Sequence, residues 1–231
     1  MKKLISALVI GLSVINLFSQ TIPEGYLLQY HQDFSNKKSI QDFRFSISGT
    51  ASIRSEKGKY FLEITAHHDT MIPSYQPSTI CLLDNLIFGD YILEANVMYN
   101  EGTDKNALWF LTAIKDSLNY YCLDISPIPG NEDTLTYALL RGKPRKIQIA
   151  MHKLVSLQPD KWYKVKMIRD IVNPSVKIFM DDMKNPVLEI NDRTFIMGYI
   201  GFGMNNGIFR IANIKIWSQT SIPEPAGFYG K

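Results

Sequence analysis

Short runs of alternating apolar and polar residues recur along this sequence, and they restrict the fold more than any other feature. In residues 91–99, Tyr91, Leu93 and Val97 fall on one face of an extended chain, while Glu94 and Asn96 fall on the other. Successive side chains of a β-strand point to opposite faces, whereas helices repeat apolar residues at three- and four-residue spacings. No long segment shows the helical spacing. The sequence therefore predicts a chain built from strands.

Further runs of the same kind bring the predicted number of short strands to about twelve, a number typical of two-sheet β proteins. Residues 107–114 are apolar throughout and predict a strand that is buried on both faces. Lys57-Gly58 and Asp181-Asp182 predict turns between paired strands. The predicted fold class is all-β, a two-sheet antiparallel β-sandwich of jelly-roll type.

The first residues predict export from the cell. Lys2 and Lys3 precede an apolar run over residues 4–18, and the chain turns polar at Ser19. This order is typical of a cleavable signal peptide, and the run is too short for a membrane span of about 20 residues. We expect a signal peptide at 1–19, a β-sandwich domain at 20–217 and an irregular tail at 218–231. Cleavage after Ser19 would place Leu17 three residues before the cut, where a small residue is usual. The exact cleavage site is therefore not assigned.

Charge and cysteine content limit the classes of binding partner and the cellular location that we expect. Cleavage after residue 19 would lower the basic residues from 25 to 23 against 22 acidic ones, a nearly neutral balance that disfavours nucleic acid and anionic membranes. No cysteine lies near the predicted cut, so we expect no lipid anchor and a secreted location, periplasmic or extracellular. Cys81 and Cys122 either form a disulfide or remain buried free thiols.

The second half of the chain resembles a known superfamily. The resemblance rests on W-Y-K-V-K at residues 162–166, the Asp181-Asp182 turn and G-Y-I-G-F-G at residues 198–203. These motifs resemble concanavalin A-like lectin and glucanase domains, closest to the laminin-G-like and 3-keto-disaccharide hydrolase groups, over residues 33–217. The resemblance implies a concanavalin A-like jelly roll and a secreted protein of polysaccharide-degrading systems. The catalytic E-x-D-x-x-E strand of the glucanases is missing, so no catalytic residue is carried over.

Two carboxylates are candidates for catalysis. Glycoside hydrolysis normally uses a pair of carboxyl groups on either side of the scissile bond. Glu94 and Asp124 each lie within a predicted strand and alternate with its apolar residues. They form an acid and base pair only if their strands share a sheet. Otherwise both are ordinary solvent-side residues.

Carbohydrate binding requires aromatic faces and planar polar groups. Tyr120, Tyr121, Arg145 and Arg169 supply this chemistry, and the two adjacent tyrosines point to opposite faces of their strand. We expect one of them to contact the ligand. Trp109, Trp162 and Trp217 are interpreted as packing residues.

Asp181, Asp182 and Asp192 are the densest group of oxygen ligands, and Ca²⁺ takes six to eight oxygens. Laminin-G-like domains bind calcium at loop carboxylates, so the resemblance adds weight to this ion. The same residues also suit ordinary turns. We expect no obligatory cofactor and name Ca²⁺ as the candidate ion.

The leading hypothesis is a secreted, lectin-like β-sandwich that recognises an oligosaccharide or polysaccharide. The first alternative is a glycoside hydrolase that uses Glu94 and Asp124. The second is a surface or adhesive domain that binds another protein. The sequence does not fix the oligomeric state.

Overall fold

The computed structural model describes residues 22–46, 51–66, 73, 76–84, 86–100, 108–124, 136–153, 155 and 157–223. One short 3-10 helix, Lys37–Asp42, lies near the start. Asn36 caps it by accepting a hydrogen bond from the amide of Lys38. The strands in the described part of the chain are β1 (Leu27–Gln32), β2 (Phe43–Phe45), β3 (Ala51–Glu56), β4 (Lys59–Ala66), β5 (Thr79–Leu83), β6 (Leu86–Ile87), β7 (Tyr91–Asn100), β8 (Leu108–Asp116), β9 (Asn119–Asp124), β10 (Tyr137–Leu140), β11 (Lys143–Lys146), β12 (Gln148–His152), β13 (Tyr163–Asp170), β14 (Ser175–Met180), β15 (Leu188–Asn191), β16 (Tyr199–Met204), β17 (Gly207–Ser218) and β18 (Ile222–Pro223).

The strands form two antiparallel sheets, which confirms the predicted β-sandwich. The larger sheet has nine strands in the order β12-β15-β14-β13-β7-β17-β4-β3, with β1 also paired to β17. The smaller sheet has seven strands in the order β11-β10-β9-β8-β16-β5-β2. Strand β17 is twelve residues long, so its first half pairs with β4 and its second half with β1. A two-stranded pair of β6 and β18 stands apart from both sheets.

The main core lies between the two sheets and follows the predicted alternation. In β7, Tyr91, Leu93, Ala95 and Val97 are buried in this core. Glu94 and Asn96 alternate with them and are half-buried on the outer face of the larger sheet. On the smaller sheet, which forms the other side of this core, the cross-strand partners Phe110 of β8 and Phe202 of β16 meet edge to face at 5.7 Å between ring centroids. The hydrophobic effect of this shared interior is what holds the two sheets together.

The smaller sheet is apolar on both of its faces. The predicted doubly buried strand is confirmed, because Phe110 of β8 lies in the main core and Trp109 in a second cluster on the outer face. Cys122 joins the second cluster while Cys81 joins the first. Both cysteines are buried free thiols, so of the two alternatives the structure shows the one without a bridge. Burial raises the pKa of both thiols.

The domain boundaries remain predictions. The expected signal peptide at 1–19 lies outside the described residues. Strand β17 ends at Ser218, and β18, which lies within the expected tail, pairs with β6. Among the residues described, no helix has the length and apolar character needed to cross a membrane.

Candidate functional site

The tryptophan at the start of β13 is held in place by the loop before it. Asp160 has a left-handed backbone with a φ of 58°. Its amide donates to the carbonyl of Tyr99 at 2.8 Å, and its carboxylate accepts from the Asn100 side chain at 2.7 Å. Next to Trp162, the buried hydroxyl of Tyr163 accepts a hydrogen bond from the Gln158 amide at 2.6 Å. Trp162 therefore enters the sheet from an anchored turn, with its side chain toward the outer face of the larger sheet.

Phe61 supports this ring from below. Its side chain is 3% exposed although it alternates with Leu62 of the main core, because Trp162 and Arg210 cover it. The Trp162 and Phe61 rings meet at 5.7 Å and 63°, and the Arg210 guanidinium lies 5.0 Å from the Phe61 centroid. Arg210 is fixed in turn by an ion pair with Glu63 at 2.8 Å. The outer face here has a rigid aromatic and ionic floor.

Two grooves meet at Trp162. One has a volume of about 480 Å³ and is bordered by Glu56, Met98, Asp160 and Arg210. The other has a volume of about 410 Å³ and is bordered by Tyr60, Asn96 and Asn213. Lys59 contributes to both grooves, as Trp162 does. We call this region, defined by Tyr60, Phe61, Asn96, Trp162, Arg210 and Asn213, the Trp162 surface.

The polar residues of the second groove are presented by ordinary features of a sheet. Asn96 lies on the outer face of β7, and Asn213 lies at the β-bulge of β17 with a φ of 50°. A bulge adds one residue to a strand and redirects its side chain, and Asn213 is exposed as a result. Tyr60 is 45% exposed at the start of β4. Half-buried aromatic rings beside amide groups are the chemistry that saccharides require.

Four predicted site residues come together elsewhere, in a polar network at the far end of the sandwich. Asp192 accepts hydrogen bonds from the Tyr121 hydroxyl at 2.7 Å, the Arg145 guanidinium at 2.6 Å and the Thr194 amide at 2.8 Å. Burial acts to raise the pKa of Asp192, but the bonds from Thr194, Arg145 and Tyr121 outweigh it and lower the pKa to about 2. Asp192 is therefore an ionised structural anchor.

Arg169 completes this network from the inner face of the larger sheet. Its parity with Val165 and Met167 on β13 directs it between the sheets, and it is 4% exposed. It donates to the carbonyl of Phe195 and lies 5.4 Å from the centroid of the Tyr121 ring. The Tyr121 hydroxyl accepts the Phe195 amide, so both residues hold the same loop.

The proposed acid and base pair is wrong. Glu94 is on β7 of the larger sheet and Asp124 is on β9 of the smaller sheet. Each alternates with main-core residues of its own strand, so the two carboxylates face away from each other across a sandwich whose sheets lie about 10 Å apart. Asp124 is only 5% exposed, and Glu94 forms a surface ion pair with Lys164 at 3.1 Å.

The prediction that Tyr120 or Tyr121 contacts ligand is also wrong. They do point to opposite faces, but both are at most 1% exposed. Tyr120 lies in the second apolar cluster and Tyr121 in the main core. The prediction assumed that one face of this strand is wet, whereas the smaller sheet is covered on both. Of the two predicted arginines, Arg145 is held by Asp192, and Arg169 is buried beside a small pocket.

The predicted calcium ligands do not form one cluster. Asp181 and Asp182 follow β14, whereas Asp192 follows β15, whose last residue pairs with the first residue of β14. Asp192 is thus separated from Asp181 and Asp182 by the length of β14, about 20 Å for six residues. Asp181 accepts from the Lys164 amide, and Asp182 caps its own turn through the amide of Lys184. Within the described ranges no three His, Cys, Asp or Glu side chains are grouped to hold a metal.

Trp162 is the residue of this surface that the sequence analysis does not name as a candidate. Tryptophans in strands are usually packing residues, and Trp162 does pack against Phe61 while it also borders both grooves. Its position directly before the alternating run 163–169 was a usable signal, since it shares the outward parity of Lys164. The same parity places Arg169 inward, a second signal that was available.

Comparison with known proteins relates this fold to solved structures. No family model matches the sequence, and no curated protein matches it. A carbohydrate-binding module, CBM66 from Bacillus subtilis, is 14% identical with a TM-score of 0.53, covering 77% of this chain and 96% of its own. A putative glycosyl hydrolase from Parabacteroides distasonis is 10% identical with a TM-score of 0.51, covering 80% of this chain and 92% of its own.

A third similar structure is domain 4 of an extracellular GH43 arabinanase from Geobacillus stearothermophilus, in complex with arabinotriose. It is 10% identical with a TM-score of 0.50, covering 85% of this chain and 94% of its own. Similarity at this level of identity establishes the fold and not the activity. The chain has a concanavalin A-like, lectin-like β-sandwich fold. Its closer resemblance to the laminin-G-like and keto-disaccharide hydrolase groups stays a prediction.

Proposed function

We propose that this chain is an exported carbohydrate-binding protein that holds an oligosaccharide or a segment of polysaccharide across the Trp162 surface. The observation that carries the proposal is the position of the Trp162 ring, half-buried on a fixed floor and shared by two grooves of about 480 and 410 Å³. A ligand that spans both grooves would place one sugar ring on the indole and its neighbours on either side.

The surroundings of the ring match the two needs of sugar recognition. The C–H face of a pyranose packs against an aromatic ring, and its hydroxyl groups need donors and acceptors at fixed positions. Asn96 and Asn213 offer both in their side-chain amides, and Lys59 adds a donor that reaches either groove. Because Phe61 and Arg210 fix the floor, little side-chain freedom has to be lost on binding.

Two of the similar structures concern carbohydrate by name, a carbohydrate-binding module and an arabinanase domain in complex with arabinotriose. These names describe those proteins. They support the choice of ligand class for a chain of the same fold, and the Trp162 surface supplies the reason within this molecule.

The test is a binding experiment with residues 20–231 on a panel of neutral and acidic polysaccharides, by glycan array and then by calorimetry. We expect Trp162→Ala to weaken binding at least about tenfold, a loss typical of a central aromatic anchor. Trp217→Ala is the matched control, because Trp217 is a second half-buried tryptophan on the outer face of the same sheet, paired with Leu28 and Ile92. The glycan affinity of the Trp217→Ala variant should equal that of the parent protein.

Two results would refute the proposal. One is the absence of binding to every glycan on the panel by a folded parent protein. The other is equal affinity in the parent and the Trp162→Ala variant. EDTA is expected to leave binding unchanged, because the candidate aspartates are split between the two ends of β14. N-terminal sequencing of the exported protein tests the predicted cleavage near residue 19.

A further inference from the structure

A second, smaller pocket lies at the opposite end of β13 from Trp162. Its volume is about 230 Å³, and its walls include Arg169, Pro174, Ser175, Asp192, Phe195 and Ile196. Arg169 follows Trp162 by seven positions of extended chain, a distance of about 23 Å. The pocket is thus distinct from the Trp162 surface and is not needed for the function proposed above.

Arg169 borders this pocket, and its guanidinium has a donor that no group of the protein uses. It donates to the carbonyl of Phe195, but its Nε is buried and has no hydrogen-bond partner. No carboxylate oxygen among the described residues lies within 4.0 Å of its nitrogens. Burial lowers the pKa of this group, as expected for a cation withdrawn from water. A buried charge without an ionic partner is costly unless something else compensates it.

The nearby carboxylates are already committed. Asp192 is engaged by Arg145, Tyr121 and the amide of Thr194. Asp90 accepts a hydrogen bond from the amide of Ile171 at 2.5 Å. Asp170 also borders the pocket, and it accepts hydrogen bonds from the amides of Val172 and Asn173. None of these three carboxylates forms an ion pair with Arg169, so the charge of Arg169 is left for a group that enters the pocket.

We propose that this pocket binds the carboxylate of an acidic sugar residue, with Arg169 as the buried cation that recognises it. A planar guanidinium binds a carboxylate through paired, charge-assisted hydrogen bonds. The volume suits a single sugar ring and is below the range of about 300 to 1,000 Å³ of larger ligand sites. Phe195 and Ile196 offer carbon surfaces to the ring, while Ser175 and Arg193 offer polar contacts to its hydroxyl groups.

Titration of the protein with single compounds tests this site, followed by NMR of the Phe195 and Ser175 amides and by calorimetry. Glucuronate and galacturonate are expected to bind and to shift these amides. Glucose and galactose have the same rings without the carboxylate, and they are expected to bind at least about tenfold more weakly. The remaining test compounds are sulfate and hexanoate, which is a carboxylate without a sugar ring. Both are expected to bind more weakly than the uronates.

Two variants locate the binding. Arg169→Gln keeps a donor for the Phe195 carbonyl but removes the charge, and it should lower uronate affinity at least about tenfold. Ile196→Trp obstructs the mouth at a side chain that is 57% exposed, so it leaves the buried contacts of Arg169 intact and should have a similar effect. Ile196→Trp should leave the binding of neutral polysaccharide to the Trp162 surface unchanged, because Ile196 borders neither groove there, and this separates the inference from the function proposed above.

The inference fails on any of three results. These are no uronate binding by the folded protein, tighter binding of hexanoate or sulfate than of the uronates, and uronate affinity that Ile196→Trp does not reduce. If Arg169→Gln does not fold, the Ile196→Trp result decides.

Discussion

The two ends of β13 carry opposite kinds of polar site. At its start, Trp162 faces outward onto two open grooves, and the polar groups around it remain accessible. At its end, Arg169 faces inward, and its neighbours Asp192 and Tyr121 are saturated by hydrogen bonds within the protein. A group whose hydrogen bonds are satisfied internally stabilises the fold, whereas a group held rigid but left open can bind a ligand. The comparison assigns stability to the hydrogen bonds around Asp192 and glycan recognition to the Trp162 surface. Arg169, whose Nε has no hydrogen-bond partner, is left for the ligand of the smaller pocket.

Removing the centre of the buried network should have the largest effect. Asp192→Ala removes the acceptor of the Tyr121 hydroxyl and of the Thr194 amide, and it removes the ion-pair partner of Arg145. We expect a loss of about 3 kcal/mol in the free energy of unfolding, measured by urea denaturation. Glu189→Ala breaks an exposed ion pair with Lys177 and serves as control, with a loss below about 1 kcal/mol. Equal losses in the two variants would contradict the assignment.

Acid should weaken the same network. The pKa of Asp192 is lowered to about 2 in the folded protein, from an ordinary value of 3.8. A carboxylate with a lowered pKa contributes stability above its unfolded value, and this stability is lost as the pH falls through the folded value. We expect at most about 2 kcal/mol to disappear between about pH 5 and pH 2, since one pKa unit corresponds to about 1.4 kcal/mol.

Asp192→Asn isolates this contribution. The variant cannot titrate at this position, so its stability should fall less steeply over the same pH interval. Thermal melts of the two proteins at half-unit steps of pH measure the difference. Parallel pH profiles would mean that Asp192 is not the titrating group.

Substituting Trp162 should give the reverse balance of effects. Trp162→Ala removes an aromatic contact of Phe61 but opens no cavity in the main core, so we expect a stability loss of about 1 kcal/mol. Glycan affinity should fall at least about tenfold, while Asp192→Ala should leave affinity unchanged. Calorimetry on both variants, at a temperature where both are folded, measures this crossed pattern. A variant that loses stability and affinity in proportion would remove the distinction between the two regions.

The sequence predicted the strands better than the surfaces they form. Alternation in β7 correctly assigned Leu93 and Val97 to the core because strand geometry is local. It could not show that the smaller sheet is covered on its outer face, and so Tyr120 and Asp124 were expected to be more open than they are. Nor could it show which strands share a sheet, because pairing depends on contacts distant in the chain. The chemical types needed for binding were recognised, but their placement required the tertiary structure.

Neutralising Glu94 should have the smallest effect on stability of the substitutions considered. It compares two parts of the outer face of the larger sheet, Glu94 and the Trp162 surface. Glu94 lies on the same face of β7 as Asn96, but its partner is Lys164 at 3.1 Å, with side chains 25% and 48% exposed. Exposed pairs of this kind contribute at most about 1 kcal/mol, so Glu94→Gln should change the free energy of unfolding by less than that.

A general acid or base contributes about 100- to 10,000-fold to a rate. The variant therefore gives a clear answer: if the protein hydrolyses any glycan and Glu94→Gln reduces the rate a hundredfold, this face is catalytic. Unchanged glycan affinity, with no difference in sugar release, would show that Glu94 takes no part in recognition or catalysis and is a half-buried member of the sheet paired with Lys164.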